Sequence, residues 1–121
     1  MNTGPGSCVE VSKAKRAARI LIVQGNLANT YGELGHLEKA LSMEQEVYSG
    51  CLKLLGEGHD NTLLAANNYA SSLNGLRRFE EAKTLLRRTL PVARRVLGEC
   101  DDLTLRMRFN YATALCQDTG A

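Results

Sequence analysis

The sequence predicts an all-α protein in which antiparallel helix hairpins stack as a right-handed superhelix, with two full repeats and one further helix. The first observation is a period of 42 residues, because Asn26, Asn68 and Asn110 each begin a tripeptide that ends in alanine. A fixed period of this size is typical of stacked repeats. The second observation is that apolar residues recur at helical spacing and no segment alternates as a half-buried strand would. The third is the short glycine-containing turns between helical segments, which favour antiparallel hairpins.

The first hairpin is expected over about residues 12–56. Residues 1–11 contain Gly-Pro-Gly-Ser and are expected to form a flexible leader outside the fold. Helical periodicity begins near Ser12, a suitable N-cap, and continues to about Leu34. A turn at Gly35 and His36 leads into a second helix over 37–55, which the glycines that follow it end.

The second hairpin is expected over about residues 60–98. Asp60 or Asn61 is predicted to cap its first helix, which continues to Asn74. Gly75 is suited to the left-handed conformation that ends many helices. The second helix of the pair is expected over 79–97 and is closed by the next glycine.

One proline falls inside the fourth predicted helix. Pro91 removes a backbone donor and clashes with the preceding turn, at a cost of about 3 kcal/mol, so a kink or local irregularity is expected near Thr89. A fifth helix is predicted over about 102–117, capped by Asp101 or Asp102 and followed by a tail at 118–121. The repeat domain therefore spans 12–117.

Composition excludes several classes of protein. The net charge is +2, with 44% hydrophobic and 5% aromatic residues, so charge alone gives little reason to expect nucleic acid or an anionic membrane. The four cysteines lack the paired spacing of metal and redox sites, and we expect reduced thiols, no metal and no cofactor. Neither a signal peptide nor a membrane-spanning run is visible, which favours a cytoplasmic protein.

A 14-residue pattern identifies the repeat type. The motif Leu27-Ala28-x-x-Tyr31-x-x-x-Gly35-x-x-x-x-Ala40 resembles a tetratricopeptide repeat. The longer period and the linker over 55–62, which reads Leu-Gly-Glu-Gly-His-Asp-Asn-Thr, resemble the kinesin light chain type of this repeat. The resemblance covers about residues 18–117. It implies a scaffold or adaptor that binds a protein partner and has no catalytic role.

In such repeats the first helix of each hairpin lines the concave face, and a stripe of residues at helical spacing identifies that face here. Its members in the three equivalent helices are Ile22, Gly25, Asn26, Asn29 and Glu33; Leu64, Asn67, Asn68, Ser71 and Gly75; Arg106, Phe109, Asn110, Thr113 and Gln117. An amide both donates and accepts hydrogen bonds, so a column of asparagines suits the backbone of an extended peptide.

The candidate peptide-binding residues follow from this stripe. The resemblance implies that Asn26, Asn68 and Asn110 contact the backbone of a partner segment. We expect the remaining polar members to add selectivity, namely Asn29, Asn67, Ser71 and Arg106. The alternative is that the asparagines cap or bridge neighbouring helices. Because the stripe offers only one well-placed cation, a clamp for a terminal carboxylate is not expected.

Three alternatives to this hypothesis stay open at the sequence level. The chain could be a structural fragment of a larger scaffold with no ligand of its own. The fourth helix could bind an anion or RNA through its basic residues, which are Arg77, Arg78, Lys83, Arg87, Arg88, Arg94 and Arg95. Acidic residues interrupt this set and no aromatic residues are interleaved for base stacking, so nucleic acid is the weaker hypothesis. An exposed edge at Tyr111 and Leu115 could also support self-association.

Overall fold

The computed structural model describes residues 8–118, with side chains over 12–117, and contains five helices. They are α1 (Cys8–Glu33), α2 (Leu37–Leu55), α3 (Asp60–Gly75), α4 (Phe79–Val96) and α5 (Asp102–Asp118). No strand occurs in this part of the chain. Each helix packs on the next, and α3 also lies against both α1 and α5. The predicted all-α hairpin stack is confirmed.

The core follows the repeat. Ala28 and Ala40 are fully buried in the first hairpin, and so are their equivalents Ala70 and Ala82 in the second. Because alanine has a short side chain, these positions let the two helices of a hairpin approach closely. Larger apolar side chains fill the layers between hairpins, among them Leu63, Leu73, Leu86 and Met107. Their burial supplies the main stabilisation of the stack.

The ends of the chain differ from the sequence expectation. α1 begins at Cys8 and contains Ser12, so residues 8–11 are helical and Ser12 is not the N-cap. Lysine, arginine and alanine after Ser12 favour helix and outweigh the small cost of a serine in the first turns. The other expected leader residues, 1–7, and the tail residues 119–121 lie outside the described part, while Asp118 belongs to α5.

Both ends of α3 are formed by residues other than those predicted. His59 is the N-cap, and its Nδ1 accepts a hydrogen bond of 3.1 Å from the backbone N–H of Asn61. Gly75 lies within the helix, and Arg77 instead adopts the left-handed conformation, with φ of 63°. A Cβ at Gly75 would lie 3.3 Å from Leu37 Cδ1, so this glycine serves close packing between α3 and α2.

Pro91 was expected to cause a kink or local irregularity, but it does not interrupt the helix. Burial of the neighbouring Leu90, Val92 and Ala93 against the core offsets the cost of the proline. α4 continues without a break through Pro91, and the Thr89 hydroxyl donates to the Leu85 carbonyl oxygen at 3.0 Å in the preceding turn. Of the two predicted caps of α5, Asp101 makes the contact, since its carboxylate accepts from the Leu103 N–H at 3.0 Å. The helix boundaries therefore leave α1, α3 and α5 as the first helices of successive repeats.

Candidate functional site

The stripe predicted on the first helices of the repeats lies on α1, α3 and α5, and we call its accessible members the concave face. We define this face by Ile22, Asn26, Asn29, Leu64, Asn68, Ser71, Arg106, Phe109 and Asn110. Three apolar members are accessible, with relative exposures of 39% for Ile22, 40% for Leu64 and 72% for Phe109. The surface thus combines exposed apolar groups with amides and one hydroxyl.

Two amides of the concave face, Asn26 on α1 and Asn68 on α3, have no side-chain hydrogen bond to another described residue. Asn26 and Asn29 are exposed, and Asn68 is half-buried. The Thr30 hydroxyl bonds only to the backbone oxygen of Asn26. These amides can therefore still donate to and accept from a ligand.

The amides at the contact between α3 and α5, which we call the second junction, are arranged differently. Asn110 Nδ2 donates to Asn67 Oδ1 at 2.8 Å, and Asn74 Nδ2 donates to the Asn110 carbonyl oxygen at 3.0 Å. Asn67 has a relative exposure of only 7%. The pair bridges α3 and α5, which is the structural role that the sequence left as an alternative. Arg106 is exposed and forms an ion pair of 2.8 Å with Asp102 on its own helix.

This bridge makes a prediction about stability. Replacing Asn110 by Ala should lower the free energy of unfolding by about 1–3 kcal/mol, because the buried Oδ1 of Asn67 would lose its donor. The Asn26→Ala variant is the control, and since Asn26 is exposed and unpaired it should change stability by less than about 0.5 kcal/mol. Urea denaturation followed by circular dichroism measures both. Equal stability of the two variants would contradict a bridging role for Asn110.

The first junction, between α1 and α3, contains a pocket. The pocket is floored by α2 and includes Leu21, Gly25, Val47, Leu64, Ala65 and Asn68 in its lining. Its empty space is about 410 Å³ including the open mouth, of which about 40 Å³ admits the centres of water molecules. That is enough for a few waters or part of one side chain.

Two substitutions within the repeat account for the pocket. Gly25 is equivalent to Asn67, and Ala65 is equivalent to Met107, which is fully buried at the second junction. The larger residues fill the second junction, and the smaller ones leave the first open. In agreement, α1 contacts α3 less extensively than α3 contacts α5.

A buried threonine also distinguishes the junctions. The Thr104 hydroxyl donates to the Ala93 carbonyl oxygen at 3.4 Å in the second junction. Its equivalent Thr62 is just as buried, but Thr62 Oγ1 has no hydrogen-bond partner among the described residues. Buried polar atoms are rarely left unpaired, so the first junction is the less completely packed of the two.

A carboxyl group lies in the wall of this pocket. Glu44 has a relative exposure of 3%, and its Oε2 accepts a hydrogen bond of 2.5 Å from the Ser72 hydroxyl. Burial raises the pKa of Glu44 to about 7, and the Ser72 hydrogen bond offsets part of that rise. The residues equivalent to Glu44 and Ser72 are Leu86 in α4 and Ala114 in α5, and both are buried and apolar. Glu44 was not predicted as a site residue, and Gly25 was predicted only as a member of the stripe. Comparison of the repeats shows that both differ from their equivalents, Leu86 and Asn67.

The thiol and imidazole groups of the described part show no sign of a metal site. Burial raises the pKa of the Cys51 thiol, which favours the unreactive protonated form, and His36 and His59 lie in separate turns. Within residues 8–118 no three His, Cys, Asp or Glu side chains are grouped as metal ligands. No described helix is both long and apolar enough to cross a bilayer.

Several basic side chains of α4 and of its N-cap Arg78 lie beside carboxylates. Arg78 is bonded to Glu81, Lys83 Nζ lies 2.7 Å from Glu80 Oε2, and Arg94 Nε lies 3.3 Å from Glu99 Oε1. These pairs reduce the positive potential that an RNA or phosphate ligand would need. The geometry therefore gives the anion-binding hypothesis little support.

The stacked hairpins define a class of protein, namely the helical repeat arrays, which generally bind other proteins. Residues 21–61 and 62–102 match the family model described as the tetratricopeptide repeat, in its kinesin light chain-like form. The chain belongs to the tetratricopeptide repeat family. No curated protein sequence matched the chain.

Proposed function

We propose that the concave face binds an extended segment of a partner protein, so that the chain acts as a scaffold or adaptor module. The observation that supports this most is the first junction, where unoccupied amides stand beside exposed Ile22 and Leu64 at the mouth of a pocket. Apolar groups with a few polar groups placed among them are typical of ligand sites.

The arrangement suits an extended backbone better than a folded surface. Asn26 and Asn68 can each donate to a carbonyl oxygen and accept from an N–H of the same segment. Ile22 and Leu64 offer contact to its side chains. Asn29 and Ser71, both exposed, extend this polar row along α1 and α3.

Peptide selection tests the proposal. A phage-displayed library of random 12-residue peptides is selected on the immobilised protein, and the best peptide is synthesised with a fluorophore. We expect the Asn26→Ala/Asn68→Ala double variant to bind this peptide at least tenfold more weakly, because about 1 kcal/mol is lost for each amide hydrogen bond. Fluorescence anisotropy gives the affinities.

The control removes an amide from elsewhere in the array. Gln45 is an exposed residue of α2, outside the concave face, so Gln45→Ala should bind like the unaltered protein. Circular dichroism must show equal helicity for all three proteins. If no peptide is selected, or if the double variant binds as well as the control, the proposal is wrong and a purely structural array is favoured.

A further inference from the structure

The pocket at the first junction has an apolar entrance and a polar interior. Leu21, Ile22 and Leu64 are partly exposed and contribute its outer apolar wall. Glu44 lies deeper, since almost none of its side chain is accessible. Its Oε2 accepts from Ser72, whereas Oε1 accepts no hydrogen bond from the described residues. One carboxylate oxygen is therefore available inside a pocket built mainly of carbon.

No opposite charge compensates this carboxylate in the described structure. The titratable groups in the pocket lining, which α1, α2 and α3 provide, are Glu44 and Cys51, and no lysine, arginine or histidine lines it. A buried carboxylate without a cation is costly, and an entering cation would remove that cost. The pocket therefore favours a ligand group that is positively charged at its tip.

We propose that this pocket receives a lysine side chain of the bound segment, with the lysine ammonium group on Glu44 and its aliphatic stem against Leu21, Ile22 and Leu64. The inference rests on the proposed function and names the side chain that the same site selects. Lysine has the required form, because four methylene groups separate its charge from the backbone.

Size and geometry favour lysine over arginine. The inner space admits only a few water-sized groups, which suits a compact ammonium better than a planar guanidinium. An uncharged aliphatic side chain would fill the entrance but would leave Glu44 unpaired. A lysine side chain both fills the apolar entrance with its methylene groups and places its ammonium group on Glu44.

The pairing makes binding depend on pH. Burial raises the pKa of Glu44 to about 7, so the free protein holds this carboxyl mostly protonated at pH 6 and mostly ionised at pH 8. Cys51 stays protonated over this range because burial raises its pKa as well. If only the ionised form binds lysine, affinity should fall about tenfold from pH 8 to pH 6.

The experiment uses the selected 12-residue peptide and two matched protein variants. Glu44→Gln removes the charge, and Gly25→Asn fills the pocket as Asn67 fills the second junction. A Cβ at Gly25 would lie 3.6 Å from Val47 Cγ1, an ordinary contact, so this variant should fold. The peptide is compared with versions in which its lysine is replaced by norleucine or arginine.

We expect one lysine position to be enriched among selected peptides and lost when selection is repeated on Gly25→Asn. At pH 8 the norleucine peptide should bind at least tenfold more weakly than the lysine peptide, and Glu44→Gln should abolish that difference and the pH dependence. Selected peptides without a common lysine, or equal affinity of the lysine and norleucine peptides, would overturn the lysine assignment and leave the proposed function standing. Failure to select any peptide would contradict the proposed function, and the assignment with it.

Discussion

Raising the pH from 4.5 to above 7 should lower the free energy of unfolding of the isolated chain by on the order of 3 kcal/mol through Glu44 alone. The pKa of this carboxyl is about 7 in the folded protein against 4.5 for an ordinary glutamate, mainly because the group is buried. Each pKa unit corresponds to about 1.4 kcal/mol. Such a change would be a large part of the stability of a small domain.

The sign of this pH effect on stability follows from proton binding to Glu44. Between the two pKa values the folded chain holds the proton of Glu44 more tightly than the unfolded chain does, so the stability from this group decreases as the pH rises. It is fully present below the unfolded value of 4.5 and is lost by the time the pH passes the folded value of about 7. A carboxylate held by a cation would behave in the opposite way.

Two variants separate Glu44 from other titrating groups. Glu44→Gln keeps the shape and a hydrogen-bond acceptor for Ser72, and its stability should vary less with pH than that of the unaltered protein. Glu44→Leu restores the residue found at Leu86 and should be the more stable protein at pH 8. Urea denaturation at pH 5, 6, 7 and 8 gives the comparison. Parallel pH profiles for the unaltered protein and Glu44→Gln would show that Glu44 has an ordinary pKa.

Two adjacent leucines of α3 should give opposite results when each is replaced by alanine. Leu63 is fully buried in the core, so Leu63→Ala should cost about 2–5 kcal/mol of stability through lost burial and the cavity left behind. Leu64, exposed by 40% at the pocket mouth, should lose less than about 1 kcal/mol on the same change.

For peptide binding, the order of the two effects should be reversed: Leu64→Ala should matter more than Leu63→Ala. Leu64→Ala should weaken binding of the selected peptide about fivefold to tenfold, because it removes apolar contact with the ligand. Leu63→Ala, measured where it is fully folded, should bind normally. Thermal melting and fluorescence anisotropy on the same samples provide both quantities. Unchanged peptide affinity in Leu64→Ala would place the ligand elsewhere.

Much of the fold could be predicted from the sequence because its signals are repeated. The period, the apolar spacing and the glycine turns indicate the same hairpins, and local preference agrees with global packing. The misplaced details are local: the cap at His59 is a hydrogen bond accepted from the backbone N–H of Asn61, by a residue type that is less common as an N-cap than Asp or Asn, and Arg77 is the left-handed residue in place of a glycine. Glycine is a residue type that often ends helices, but Gly75 lies against Leu37 and there allows α3 to pack closely on α2.

The candidate site was only partly predictable, because some of its properties depend on contacts that exist only in the folded array. The sequence identified the stripe that includes Asn26 and Asn68, but it could not show that Asn67 and Asn110 pair with each other. That pairing depends on the distance between α3 and α5. Glu44 was missed because its helix packs behind the stripe, and the burial that raises its pKa exists only in the folded array.

The most direct test of peptide binding on the concave face is a two-dimensional NMR titration. The ¹⁵N-labelled protein is titrated with the selected 12-residue peptide, and amide shift changes are mapped onto the five helices. We predict the largest changes in α1 and α3 around Gly25, Asn26, Leu64 and Asn68. Changes confined to α4, or the absence of any change at saturating peptide, would contradict a binding site on the concave face.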